Sequence, residues 1–454
     1  MPAEATQALA AFAATLKYED IPERVREQCR KLLLDALACA VAGHLGEETR
    51  QMAALSGALA QSRESSVIGG DRLSLAGATI LNGYLITAVT MCDVHRATLT
   101  HVTPEIVPPA LAVAEREGVG GRDLLAALAA GFEVTTRIGI GLDYPAFRAR
   151  GWHGPGVIGP FGAAASVGRL RGIDAETMAR AFGLAGSQSA GTFAAWGTPT
   201  VKFHQCRGAL SGLMAALLAE QGFVATTEFL TVKDGGLYAS YASGGKPELV
   251  TEDLGRRWEL EQIALRLWPS ASLIQGLNTA LFDLVETHGV QLDQVKMLRI
   301  ALSKTAFEMH GKLASYKGKF EALISGHYTA AVILQDRDLT LAQFEPGRYD
   351  DPKLRRAAAE RVDIRPDPAL SGTETVVDVE MCDGSTLATR SDHPRGSPER
   401  PLSWAQIEKK FRTYATARLS NHQIETVIES VTHLDRLGSV RELMGLLRAA
   451  PQAS

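Results

Sequence analysis

At 454 residues the chain is too long for one ordinary hydrophobic core, so two domains are expected. Its 46% hydrophobic and 22% charged residues are ordinary globular proportions and exclude a disordered chain. A formal net charge of -4, with no long basic or acidic run, gives no reason to expect nucleic acid or a membrane surface as partner.

The start, Met1-Pro-Ala-Glu-Ala-Thr-Gln7, lacks a basic segment followed by an apolar core, so no secretory signal is expected. The apolar run from Leu32 to Ala42 is interrupted by Asp35, and the run from Ala209 to Ala219 stops at Glu220. No stretch is therefore expected to span a bilayer. Cys29, Cys39, Cys92, Cys206 and Cys382 are scattered, which reads as reduced thiols in a cytoplasmic protein, without a disulfide framework or a zinc site.

Val25, Cys29, Leu32, Leu33, Ala36 and Ala40 recur at helical spacing, and Gly43 follows as a stop signal. Further helices are expected over 123–139, 174–186 and 208–222, all rich in alanine and leucine with Gly or Asp at their ends. Such helices pack closely, so the first 265 residues predict a compact bundle. No fixed-period repeat points to a solenoid. After about Trp268 the texture changes. Val295–Leu302 and 361–364 read as strands, with helical segments at 320–334 and 352–359 between them. Thr375–Met381 and 385–390 flank Cys382-Asp383-Gly384, a hairpin signal. The Pro/Gly-rich stretch 393–401 reads as a linker, and 403–414 and 421–447 return to helix. The expected fold is mainly α with an α+β part. An all-helical domain takes 1–265 and 401–454, and an α+β domain takes 266–400.

Several chemistries can be set aside. Ser243-Gly-Gly-Lys246 is too short for a Walker loop, and there is no Gly-x-Ser-x-Gly elbow. His95 and His101 are a poor separation for shared metal ligation on one helix face. Cys206 lies near His204, but cysteine is usually buried and inert.

Five blocks stand in order: Leu81-Asn-Gly with Thr100-His101, Gly151-Trp-His153 with Gly159-Pro-Phe-Gly-Ala-Ala-Ala, Lys202-Phe-His204, Leu267-Trp-Pro269, and Pro394-Arg-Gly-Ser-Pro-Glu-Arg-Pro-Leu402. Over nearly the whole chain they resemble the MmgE/PrpD family, which includes 2-methylcitrate dehydratase, cis-aconitate decarboxylase and iminodisuccinate epimerase. The resemblance implies a large helical domain built from both chain ends, a smaller α+β lid, an active site between them and a homodimer. It also implies no metal or organic cofactor, and a small carboxylate as substrate.

Within the blocks, His101 matches the histidine of the family's Thr-His-Pro-Ser block, and His153 matches a second active-site histidine. Either can move a proton at working pH, and the bland alternative is a structural or turn histidine. Lys202 and His204 form the Lys-plus-His block with a shift: the family's lysine stands three residues before the histidine, where this chain has Val201. Lys202 reads as a base or carboxylate partner, or else as a solvated lysine. Arg266 aligns with a lysine that binds substrate carboxylate, and offers it a fork. Tyr328 aligns with a lid tyrosine, the alternative being a core aromatic.

Two blocks depart from the family. Its Asp-x-Asp-Asp-Thr-His stands here as Thr90-Met-Cys-Asp93-Val94-His95, which keeps Asp93 and His95 but loses the first aspartate. Its Cys-Cys-Arg-x-Thr-His becomes Ser270-Ala-Ser-Leu-Ile-Gln275, and a glutamine cannot titrate. The expected activity is abstraction of a proton α to a carboxylate of a small di- or tricarboxylate. A lyase, dehydratase or decarboxylase, comes first because such reactions are commoner in the family. An epimerase or isomerase is the alternative, and a non-catalytic carboxylate-binding relic the third reading.

Overall fold

The computed structural model describes residues 4–312 and 314–449. Met1–Ala3, part of the start read for a signal, and 450–454 of the C-terminal segment lie outside the described residues. The chain divides into two compact units, Met1–Ile263 with Ser403–Ser454, and Ala264–Leu402.

The first unit is helical. Its main members are α1 (Glu23–Ala42), α2 (Leu75–Thr87), α3 (Thr103–Glu117), α4 (Gly121–Gly141), α5 (Gly154–Arg171), α6 (Thr200–Glu220) and, from the returning C-terminal segment, a helix at Trp404–Ala415. Small residues set their spacing. A Cβ on Gly212 of α6 would stand 2.5 Å from the Pro160 carbonyl oxygen of α5, so the two backbones approach too closely for a larger residue. The helix α1 buries every residue from Leu32 to Ala42. Asp35 within that run is matched by Lys410 of the C-terminal helix, whose ammonium lies 2.5 Å from its carboxylate and 3.0 Å from the Met91 carbonyl oxygen. This buried bridge ties both chain ends to the segment that carries Asp93.

The expectation of no bilayer-length segment needs correction. By length and composition α4 is apolar enough to cross a membrane, and 94% of that window is buried inside the structure. It is a core helix, and its two central charges, Glu133 and Arg137, are paired with each other at no exposure. Other boundaries also move. The helix expected at 208–222 begins at Thr200, after Pro199, which places Lys202 and His204 on α6. The segment 421–447 divides into Asn421–Thr432, a turn at Leu434–Arg436 and Val440–Leu446, because Ser439 caps a new helix through Arg441 N. Likewise 320–334 breaks at Ser325, whose hydroxyl caps the Gly326–Asp336 helix through Tyr328 N.

The second unit is α+β. Its sheet has strands β1 (Val295–Leu302), β2 (Val362–Pro366), β3 (Thr375–Met381) and β4 (Thr386–Ser391) in the order β2-β1-β3-β4. The β1/β2 pair is parallel and the other two pairs are antiparallel. Leu298, Ile300, Val377 and Val379 are buried at alternate positions, under helices that include Gln275–His288 and Gly326–Asp336. The hairpin between β3 and β4 turns at Asp383-Gly384, with Gly384 at φ 86°.

Candidate active site

Three histidines stand at the N-terminal ends of three neighbouring helices of the first unit. His101 precedes α3, His153 is the residue before α5, and His204 lies in the second turn of α6. A short bridge holds two of them: His153 N donates to the Gly191 carbonyl (3.0 Å) and Phe193 N to the Gly151 carbonyl (2.7 Å). Gly191 has φ 141°, and a Cβ there would meet His204 Nδ1 at 3.1 Å, so only glycine lets this backbone lie over the His204 ring.

The Nδ1 atoms of His153 and His204 are 3.1 Å apart. At that distance one must donate and the other accept, so the pair holds one shared proton. Burial, then the neighbouring His204, His101 and Arg148, push His153 down to about 3. Burial, then Arg207, lowers His204 also. At neutral pH the pair is uncharged overall. His101 Nδ1 lies 2.6 Å from the Asp93 carbonyl oxygen. A carbonyl only accepts, so Nδ1 carries a proton and donates it to that oxygen.

Asp93 sets the position of His101 twice over. Besides that carbonyl, its carboxylate accepts from Val102 N (2.8 Å), from Thr103 N (3.0 Å) and from the Thr103 hydroxyl, closing the N-terminus of α3. Burial pushes Asp93 up to about 6, against the pull of these donors. His95 is engaged at both nitrogens, with Thr98 Oγ1 (2.9 Å) and Glu259 Oε1 (3.0 Å), and links its segment to the 259 turn.

Lys202 is ion-paired with Glu48. Two residues along a helix turn the side chain by about 200°, so Lys202 leaves α6 on the side away from His204. Its ammonium lies 3.0 Å from Glu48 Oε2, which also accepts from the Tyr84 hydroxyl (2.6 Å). Val201, three residues before His204, shares that histidine's face.

In the second unit, Arg266 Nη1 donates to the Ser270 carbonyl (3.0 Å). Gln275 Nε2 and Asn278 Nδ2 both donate to Ser270 Oγ at 2.7 Å. The buried Gln275 Oε1 accepts from no group among the described residues. Tyr328 is fully buried, its hydroxyl donating to the Gln343 carbonyl and its ring packed on Tyr316 and Phe344. Burial pushes its hydroxyl well above the ordinary tyrosine range.

Sequence reasoning passed over Glu105, in the first turn of α3. It is fully buried, and neither carboxyl oxygen has a hydrogen-bond partner among the described residues. Gly159 of α5 leaves the room it occupies: a Cβ there would stand 2.0 Å from Glu105 Cδ. Burial, then Asp93, raises Glu105 well above the ordinary 4.5. The signal available in the sequence was an acid inside an otherwise apolar run. The raised folded-state value means that the unfolded chain ionises first as pH rises above about 4.5, so wild-type stability falls by about 1.4 kcal/mol per pH unit from this group until the folded form also titrates. Glu105→Gln is therefore expected to gain on wild type as pH rises from 4.5 to 8. Urea midpoints at the two ends would check this, and a constant difference would rule it out.

Among the described residues no three His, Cys, Asp or Glu side chains converge so as to hold a metal ion. The family models for the MmgE/PrpD N-terminal and C-terminal domains match residues 7–250 and 268–436. The chain belongs to the MmgE/PrpD family. It is similar along its whole length to the cis-aconitate decarboxylase-like protein oryM of Aspergillus oryzae, at 29% identity over 97% of each chain. It is likewise similar to the cis-aconitate decarboxylases of Aspergillus terreus (26%, over 97% of this chain and 95% of that one) and Homo sapiens (26%, over 98% and 94%). With these MmgE/PrpD relatives the chain is an enzyme of the lyase kind.

Proposed function

We propose that this enzyme is a carboxy-lyase for a small unsaturated di- or tricarboxylate, working with its own side chains and without a cofactor. The observation that carries the reading is the His153–His204 pair, which holds one proton between two buried imidazoles. Cis-aconitate is the first compound to try, since full-length relatives bear that activity in their names.

In such a reaction the bond to the departing carboxylate breaks and its electron pair passes into the remaining carbon framework. A proton then goes to carbon and carbon dioxide leaves. An empty site with His153 at about 3 is poor at holding that proton. A bound polyanion reverses this, because negative charge beside an imidazole favours the imidazolium. The substrate thus charges the acid that reacts with it, and donation of that proton to carbon leaves the pair neutral again, as it was before binding.

The test is carbon dioxide release from a panel of cis-aconitate, citrate, 2-methylcitrate and iminodisuccinate, before and after treatment with a chelator. Release from an unsaturated member, unchanged by chelation, is the expected result. Loss of water from a hydroxy acid without carbon dioxide would make the enzyme a dehydratase. Inversion without loss of any group would make it an epimerase.

A further inference from the structure

Arg148 lies in the short helix Tyr144–Ala149, five residues before His153. Its guanidinium carbon is 3.3 Å from the centre of the Phe193 ring. That ring meets His153 edge-on at 6.1 Å and stacks on Trp196 at 5.1 Å. The backbone fixes this arrangement, because Gly151 N donates to the Arg148 carbonyl and Phe193 N to the Gly151 carbonyl. One short bridge therefore sets Arg148 over Phe193 and His153 beside His204.

The neighbouring arginines donate elsewhere. Arg207 donates to the carbonyls of Gly156, Gln188 and Ala190, and Arg150 to Ser243 Oγ. For Arg148, among the described residues, no carboxylate lies within ion-pair distance and no hydrogen bond is made. A guanidinium stacked on a ring uses its flat face there and keeps its in-plane N–H fork for another ligand. That fork has the geometry of a carboxylate.

We propose that Arg148, stacked on Phe193, grips one carboxylate of the substrate beside the histidine pair. This rests on the reading that His153 and His204 are the reacting centre. It gives two of the substrate's carboxylates different parts, one held at Arg148 and one free to leave. It also explains why an uncompensated positive charge stands where it opposes protonation of His153. The held carboxylate neutralises that charge as the substrate arrives, so binding and readiness of the acid are coupled.

The experiment is calorimetric titration of the full chain with tricarballylate, a saturated tricarboxylate that has no double bond to accept the electron pair. Arg148→Gln is expected to weaken its binding by roughly 10–100-fold, the usual range for a lost charged hydrogen-bonding partner. Arg148→Lys keeps the charge without the fork and should fall between. Arg150→Gln, a neighbouring arginine outside the site, should stay within about twofold. With a turned-over substrate, Arg148→Gln should raise KM far more than it lowers kcat. Should the glutamine variant fail to fold, the lysine variant against Arg150→Gln carries the comparison. Equal binding by wild type and the Arg148 variants would overturn this assignment while leaving the histidine reading intact. No binding of tricarballylate or cis-aconitate to wild type would overturn both.

Discussion

Asparagine in place of His153 is expected to lower kcat/KM by about 10³-fold while leaving the melting temperature within a few degrees of wild type. The loss follows from the usual weight of a positioned acid or base, about 10²–10⁴-fold. The fold is expected to survive because the His153 backbone, through its N–H to Gly191, makes the contact that holds the bridge. His204→Asn should cost a similar factor, since the proton belongs to the Nδ1–Nδ1 contact and to neither ring alone. The double variant should then be little worse than either single one. Steady-state kinetics of the three proteins decide this. Multiplying losses would mean that the rings act separately, and an unaffected rate would remove them from the chemistry.

The largest stability effect is expected at Arg137→Leu, about 3–5 kcal/mol from the first unit. Arg137 is fully buried in the middle of α4 and donates to the carbonyls of Val250 (3.1 Å), Glu252 (2.8 Å) and Arg257 (2.6 Å) as well as to Glu133. Its loss leaves three acceptors without that donor and a buried carboxylate without its counter-charge. Burial already presses Glu133 upward, so without Arg137 the carboxyl takes up a proton, and this caps the cost. Removing Glu133 too should recover only part, because its carboxylate also accepts from Glu259 N and Leu260 N. The damage should reach function as well. Glu259 holds His95, and His95 anchors the loop that leads to His101. Urea unfolding of the single and double variants measures the stability, and a single-variant loss under about 1 kcal/mol would show that the pair is not needed.

How much of this was legible in the sequence depended on whether the signal was local. The β3–β4 hairpin was, because Asp383-Gly384 between alternating residues specifies both turn and register. The start of α6 was missed, since Pro199-Thr200 was passed over and Lys202 and His204 interrupt the apolar pattern that marks a helix. The charges Glu133 and Arg137 hid the true apolar character of α4, although their i, i+4 spacing lets them pair. Among site residues, the block motifs carried His101, His153 and His204. What they lacked was direction: the helix phase that turns Lys202 from His204, and its partner Glu48, distant in sequence, leave no local trace. The same holds for Tyr328 and its bond to Gln343. Arg148 lay in no recognised block, and only the bridge to Phe193 reveals its stacking.

The most direct measurement is proton NMR in heavy water of wild type and His153→Asn acting on cis-aconitate. The account predicts that wild type yields a product one carboxylate shorter, with a single deuteron on carbon, and that the variant yields it about 10³-fold more slowly. Deuterium entering the substrate with every carboxylate retained, or product formed at the same rate by the variant, would contradict it.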